Sequence, residues 1–141
     1  MSWIYKGVEF TDEMIPEGAV GFVYVMSAII NGKSVAYIGK KNFYANRKVK
    51  LGKRALSTLE DKRLKKYKQV SKLDYHKYYS SNDVLKAAHK AGSKIQREIL
   101  RICYSATELT YQEAKLLFVE DVLDSDIYLN SNILGKFYKT K

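Results

Sequence analysis

Residues 20–30, VGFVYVMSAII, form a run of β-branched and aromatic residues bounded by glycine. Such a run predicts a buried strand. Asn31-Gly32 follows, the dipeptide that most favours a tight hairpin turn, and SVAYIG at 34–39 resumes the apolar pattern. The chain therefore predicts a β-hairpin over 20–39. Upstream, Trp3 to Phe10 is a short apolar segment followed by the polar stretch TDEMIPEG, so residues 1–18 read as an N-terminal arm packed on the domain. Downstream, the 40–77 segment is too polar to supply much core; a short helix near 43–48 and a longer one near 57–70, with Leu59 and Leu64 as sparse apolar anchors, are expected there. NDVLKAAHKA at 82–91 has an Asn-Asp start, apolar positions at Val84, Leu85 and Ala88, and Gly92 as a stop, which predicts a short amphipathic helix. Ile95 to Cys103 alternates and predicts a third strand. Ser105-Ala106-Thr107-Glu108 is a capping box that opens a helix to about Leu123. The apolar residues of that helix exceed one narrow stripe, so it is expected to be well buried. The order β-β-α-α-β-α is an α+β arrangement, a small three-stranded mixed sheet flanked by helices.

Length and composition fit one domain over 1–141, with 46% hydrophobic and 28% charged residues. Charge changes the picture more. The formal net charge is +10, and the 40–77 segment alone holds 14 Lys or Arg against Glu60, Asp61 and Asp74, an excess of 11. The remainder is close to neutral. A concentrated positive block predicts attraction to a polyanion, most often nucleic acid. Its cations are mostly Lys, which suits contact with the phosphate backbone, and Tyr44, Tyr67 and Tyr75 are interleaved for packing on sugar or bases. The bland alternative is a charged, solubilising face. A membrane-surface role is disfavoured because no strong apolar face adjoins the block. The longest near-apolar run, Ala19 to Ile30, is too short to span a bilayer, and MSWIYKGVEF has no signal-peptide pattern. The single cysteine, Cys103, cannot form an internal disulfide and sits in an apolar run as a small core residue. These features lead to the expectation of a cytoplasmic protein with no membrane partner.

Five motifs then stand in order: Gly21-Phe22-Val23-Tyr24, Tyr37-Ile38-Gly39, Arg47 ten residues after Tyr37, Glu113 on the late helix, and Asn130. Over roughly residues 20–131 this order resembles the GIY-YIG nuclease family. The second motif matches in full. The first appears as GFVY, with one extra residue between Gly21 and Tyr24, and the tyrosine-to-tyrosine interval is slightly long, which an enlarged turn at Asn31-Gly32-Lys33 would absorb. The nearest members in flavour are small, phage-type, homing-endonuclease-like proteins that carry YIGKK and a later tyrosine pair, here Tyr78-Tyr79. The resemblance implies a metal-dependent DNA endonuclease, encoded by a phage or bacterium, that leaves 5′-phosphate and 3′-hydroxyl ends. It implies Tyr24, Tyr37, Arg47, Glu113 and Asn130 as catalytic residues and one Mg²⁺ or Mn²⁺ ion held by Glu113. The family often has a histidine or tyrosine just after the arginine; here Lys48 follows.

The residue types suit that chemistry on their own terms. Phosphodiester hydrolysis needs a nucleophilic water, a base, charge stabilisation and help for the leaving oxygen. A hairpin can bring the Tyr24 and Tyr37 hydroxyls together, with Lys40, Lys41 and Arg47 favouring a phenolate; which tyrosine is the base stays open, and both could equally be cross-strand aromatics. Arg47 offers a bidentate fork for phosphate. Glu113 suffices for Mg²⁺, which completes its shell with water and phosphate, although Thr110-Tyr111-Gln112-Glu113 is also a capping-box pattern. Glu120 lies on nearly the same face, and Asn132 competes with Asn130. Lys40, Lys41, Lys48, Lys50, Lys53 and Arg54 are the expected nucleic-acid contacts. His76 and His89 read as surface histidines. One active site cuts one strand, so the chain acts as a monomer that nicks or as a homodimer. The alternatives are a catalytically inactive nucleic-acid-binding module with the same fold, and an RNA-binding protein.

Overall fold

The computed structural model describes residues 2–50 and 67–139, with backbone only over 46–50 and 67–71. Its elements are β1 (Trp3–Tyr5), β2 (Val8–Glu9), β3 (Gly21–Ile30), β4 (Lys33–Asn42), β5 (Tyr44–Lys50), β6 (Tyr67–Leu73), α1 (Asp83–Lys90), β7 (Gln96–Cys103), α2 (Ala106–Val119), β8 (Asn132–Ile133) and β9 (Phe137–Tyr138).

The expected hairpin is β3–β4, in unbroken register from Gly21 opposite Asn42 to Ile30 opposite Lys33. Asn31 and Gly32 both adopt positive φ, 52° and 77°, as a two-residue turn of the primed type requires. The turn is thus tight, not enlarged. The longer interval between Tyr24 and Tyr37 is taken up by a longer ladder.

The main sheet has five strands, in the order β2-β1-β7-β3-β4, where three were expected. The two additional strands come from the N-terminal arm. β1 runs parallel to β7, with Trp3 opposite Arg97, and β2 folds back on β1. Strands of three and two residues are too short for a periodicity to reveal.

Alternation along β3 divides the core between the two sheet faces. On one, Trp3, Phe22, Tyr24, Met26, Phe43 and Tyr75 pack with Leu85 and Ala88 of α1. On the other, Val23, Ile38, Cys103 and Ile133 pack with Leu109 and Leu117 of α2. Cys103 is fully buried there, and burial together with the nearby Glu108 carboxylate pushes its thiol up to about 11.

Both helices start where their caps predict. Asn82 accepts hydrogen bonds from the Val84 and Leu85 amides, and Ser105 accepts one from the Glu108 amide at 3.0 Å. α2 ends at Val119, short of Leu123, because Asp121 turns left-handed at φ 49° and a 3₁₀ turn follows over Val122–Asp124. The helix is not well buried. Leu109 and Leu117 face the sheet, while Phe118 and Val119 remain 49% and 64% exposed.

The 40–77 segment departs most from expectation. The short helix expected near 43–48 is strand β5, and residues 67–70 of the longer one belong to β6; the rest of that longer helix lies outside the described residues. Phe43 supplies the reason. It is fully buried, its amide donates to the Val20 carbonyl at 3.0 Å, and its carbonyl accepts the Asp74 amide at 2.9 Å. The two arms of the segment therefore leave the core side by side and pair as strands.

Candidate active site

β4 is an edge strand, and the C-terminal segment covers it. The Ala36 amide donates to the Ile127 carbonyl at 3.0 Å, and the Leu129 amide donates to the Ala36 carbonyl at 2.7 Å. At the next step the Asn130 side chain takes over from backbone. Its Oδ1 accepts the Ile38 amide at 3.0 Å and its Nδ2 donates to the Ile38 carbonyl at 2.8 Å. Asn130 is only 5% exposed. A carboxamide that mimics a strand residue satisfies an otherwise open edge. Of the two late asparagines, Asn130 is the one on the YIG strand; Asn132 is exposed and accepts the Gly135 amide.

Tyr24 lies opposite Gly39 and Tyr37 opposite Met26, so the two tyrosines share a sheet face, with ring centroids 6.5 Å apart. A Cβ at residue 39 would sit 2.5 Å from the Tyr24 hydroxyl. The glycine of YIG is thus the room the Tyr24 ring occupies. Gly21 is needed likewise, since a Cβ there would come 2.6 Å from the Lys41 carbonyl oxygen. The extra residue of GFVY causes no slip against β4. The irregularity is on the other side, where Val23 faces Arg101 but Tyr24 faces Ile99, so Leu100 bulges from β7.

The two tyrosines differ in access. Tyr24 is fully buried and Tyr37 is half-buried. The Tyr24 hydroxyl lies 3.2 Å from that of Tyr78, and desolvation by burial, with the Tyr78 hydroxyl second, pushes its pKa far above the ordinary phenol value. Sequence reasoning noted Tyr78 as half of a pair without placing it beside Tyr24. It missed the residues that hold the Tyr78 loop. Arg97 donates to the His76 and Tyr78 carbonyls at 2.8 and 2.9 Å and lies between the Trp3 and Tyr79 rings. Trp3 Nε1 donates to the Tyr75 carbonyl at 2.9 Å. These partners are distant in sequence and of ordinary core type, so no local signal marks them.

A cleft of about 460 Å³ opens between β4, α2 and the N-terminus of α1, and Tyr37, Lys40, Asp83, Thr110, Glu113 and Asn130 are among its lining residues. Glu113 sits two turns inside α2, so it is not a cap. It is half-buried. Burial raises its carboxyl pKa, and the Lys40 charge opposes that rise. Lys40 Nζ donates to Thr110 Oγ1 at 2.8 Å. Glu120 is exposed, does not line the cleft, and accepts from the Tyr128 hydroxyl at 3.5 Å. Among the described residues there is no cluster of three or more metal-ligating side chains. One half-buried carboxylate, with oxygen donors around it and room for water, suits Mg²⁺ or Mn²⁺ and does not suit Zn²⁺.

The remaining residues lie around this cleft or outside the description. Lys41 pairs with Asp74 at 3.0 Å and lies over the Tyr78 ring. Arg47 is in β5 opposite Val70, with Lys48 and Lys50 farther along; their side chains, and Lys53 and Arg54 altogether, lie outside the described residues. His76 pairs with Asp12 at 2.7 Å and is not part of the cleft, and His89 stacks on Tyr79. No helix among the described residues is long and apolar enough to cross a membrane.

A family model described as “Putative endonuclease segE, GIY-YIG domain” matches residues 3–133. No curated protein and no solved structure matches the chain. The family match takes in both strands of the N-terminal arm, the hairpin, the cleft and the covered edge. The chain belongs to the GIY-YIG nuclease superfamily.

Proposed function

We propose that this protein is a metal-dependent DNA endonuclease, of nicking or double-strand-cutting, homing-endonuclease-like type. One observation carries the reading: Tyr37, Lys40, Glu113 and Asn130, from three separate parts of the chain, line one polar cleft in a member of an endonuclease family. Water attacks the phosphorus in line. Tyr37 takes the proton of that water at its hydroxyl oxygen, a role supported by its half-exposed position at the cleft. Tyr24, buried beneath it, packs against Gly39 and Tyr78 and fixes the floor of the site. Arg47 and Lys40 offset the growing charge on the phosphoryl oxygens. Asn130 acts through Ile38 as a positioning residue that keeps the YIG strand against the C-terminal segment. Glu113 would hold a single Mg²⁺ or Mn²⁺ ion, which when bound supplies positive charge for the leaving oxygen.

The test is plasmid cleavage with Mg²⁺, comparing wild type with Glu113→Ala and Arg47→Ala. Loss of cutting in both variants supports the assignment, and unchanged cutting in either removes that residue from it. A second reading, a binding module that has kept the fold without activity, draws on the Tyr24 hydroxyl being sealed from solvent. It predicts salt-sensitive binding and no cleavage with any divalent metal.

A further inference from the structure

The positive charge of the chain is gathered on a unit that the cleft does not use. β5 and β6 form a two-stranded sheet of their own, in register from Tyr44 opposite Leu73 to Lys50 opposite Tyr67, and pair with no other described strand. Between Tyr44 and Leu73 the sequence holds 11 Lys or Arg against Glu60 and Asp61 alone. A two-stranded ribbon is marginal in water by itself, and this charge makes an anionic partner its natural complement.

The root of the ribbon is firm. Its ladder continues into the core through the bond from the Asp74 amide to the Phe43 carbonyl at 2.9 Å, and Phe43 and Tyr75 on either side are buried. The Lys41–Asp74 ion pair ties the same root to the end of the YIG strand. Tyr44, the first ribbon residue, lines a groove with Lys41 and Asn42 that shares Lys40 and Thr110 with the cleft. The ribbon therefore leaves the domain from the rim of the cleft. Seven residues per strand reach about 23 Å at about 3.3 Å per residue.

Opposed residues in an antiparallel ladder share a face, and successive residues alternate. The register thus places Asn46, Lys48, Lys50, Gln69 and Ser71 together on one face. Amides and hydroxyls interspersed with lysines are the residue types that read base edges. The major groove of B-form DNA admits a two-stranded ribbon, whereas the deep, narrow major groove of A-form RNA does not.

We propose that the β5–β6 ribbon is a DNA-reading arm, laid in the major groove of a B-form duplex beside the cleft, with its Asn46/Gln69/Ser71 face toward base edges and Lys48 and Lys50 on the phosphates. The proposal takes its partner from the endonuclease reading and adds where that partner is recognised.

The experiment measures binding without divalent metal, on a mixed-sequence DNA duplex and on the same duplex built from 7-deazapurines, which lack the N7 acceptor of the major groove. Wild type is expected to bind the 7-deaza duplex about fivefold or more weakly, the loss of one base contact. Asn46→Ala/Gln69→Ala/Ser71→Ala is expected to bind the two duplexes alike. Lys48→Gln/Lys50→Gln is expected to weaken both equally and to reduce the salt slope by about two. Equal wild-type affinity for the two duplexes, persistence of the difference in the triple variant, tighter binding to duplex RNA, or no binding to DNA would overturn the proposal. Thermal melting checks that each variant folds; if the triple variant does not, the wild-type comparison still decides. A wild type that discriminates between the duplexes but never cuts with metal overturns the endonuclease reading and keeps the ribbon proposal. A wild type that cuts but does not discriminate does the reverse.

Discussion

The cleft and the β5–β6 ribbon are built in opposite ways from adjoining stretches of one chain. Around the cleft, position is set by bonds between residues far apart in sequence. Asn130 holds Ile38, Arg97 and Trp3 hold the loop that carries Tyr78, and Gly39 exists to admit the Tyr24 ring. The ribbon pairs only with itself beyond its root and carries the charge excess of the whole molecule. The difference follows from what each must do. Transition-state stabilisation demands groups already in place. Attraction to a phosphate backbone acts through many weak, screened contacts that tolerate movement.

This contrast can be broken by substitution, starting where the effect should be largest. Glu113→Ala should lower the cleavage rate by about a thousandfold or more with little change in DNA affinity, as expected for a group that acts on the transition state. Single-turnover cleavage and binding, measured side by side, check this. Tyr37→Phe should cost about 10²-fold or more in rate, the range of a lost general base, and Tyr24→Phe clearly less. The reverse order in the same assay would exchange the two roles. Asn130→Ala should leave the Ile38 amide and carbonyl unpaired, at about 1–3 kcal/mol for each buried group. A fall of several degrees in melting temperature, with catalysis reduced through a displaced YIG strand, is the expected result.

The smallest effect concerns pH and sharpens the picture of Lys40. Burial raises the Glu113 pKa in the folded protein. A carboxyl raised in this way is destabilising when ionised, so its penalty is absent below its unfolded value and grows as pH rises through the folded one. Metal binding needs the ionised form. Activity should therefore fall away on the acid side at a pH above the usual carboxylate range. Lys40 favours the ionised form, so Lys40→Met should move that acid limb to higher pH. A pH–rate profile of the two proteins checks the direction.

Local pattern made much of this fold legible. The hairpin, both helix starts and β7 follow from alternation, Asn-Gly and capping residues. The candidate site was legible as spacing: Tyr24, Tyr37, Glu113 and Asn130 are where the motif order puts them in sequence, and Tyr37, Glu113 and Asn130 line a common cleft. What was hidden depends on tertiary contact. β1 and β2 are strands because β7 offers an edge, not because of their own propensity. β5 is a strand because Phe43 and Asp74 bring its partner alongside. α2 looked fully buried from composition, yet one sheet can cover only one side of it. The burial of Tyr24 under Tyr78 arises from a loop pinned by Arg97, a contact that no residue spacing encodes.

The central claim is that this cleft cuts DNA through Glu113. Supercoiled plasmid is incubated with Mg²⁺ and either wild type or Glu113→Gln, and the ends that form are sequenced. The account predicts wild-type cleavage that leaves 5′-phosphate and 3′-hydroxyl ends, and none above background from Glu113→Gln, whose affinity for the same DNA is retained. Equal cleavage by the two proteins, or intact plasmid with wild type under Mg²⁺ and Mn²⁺ alike, would contradict it.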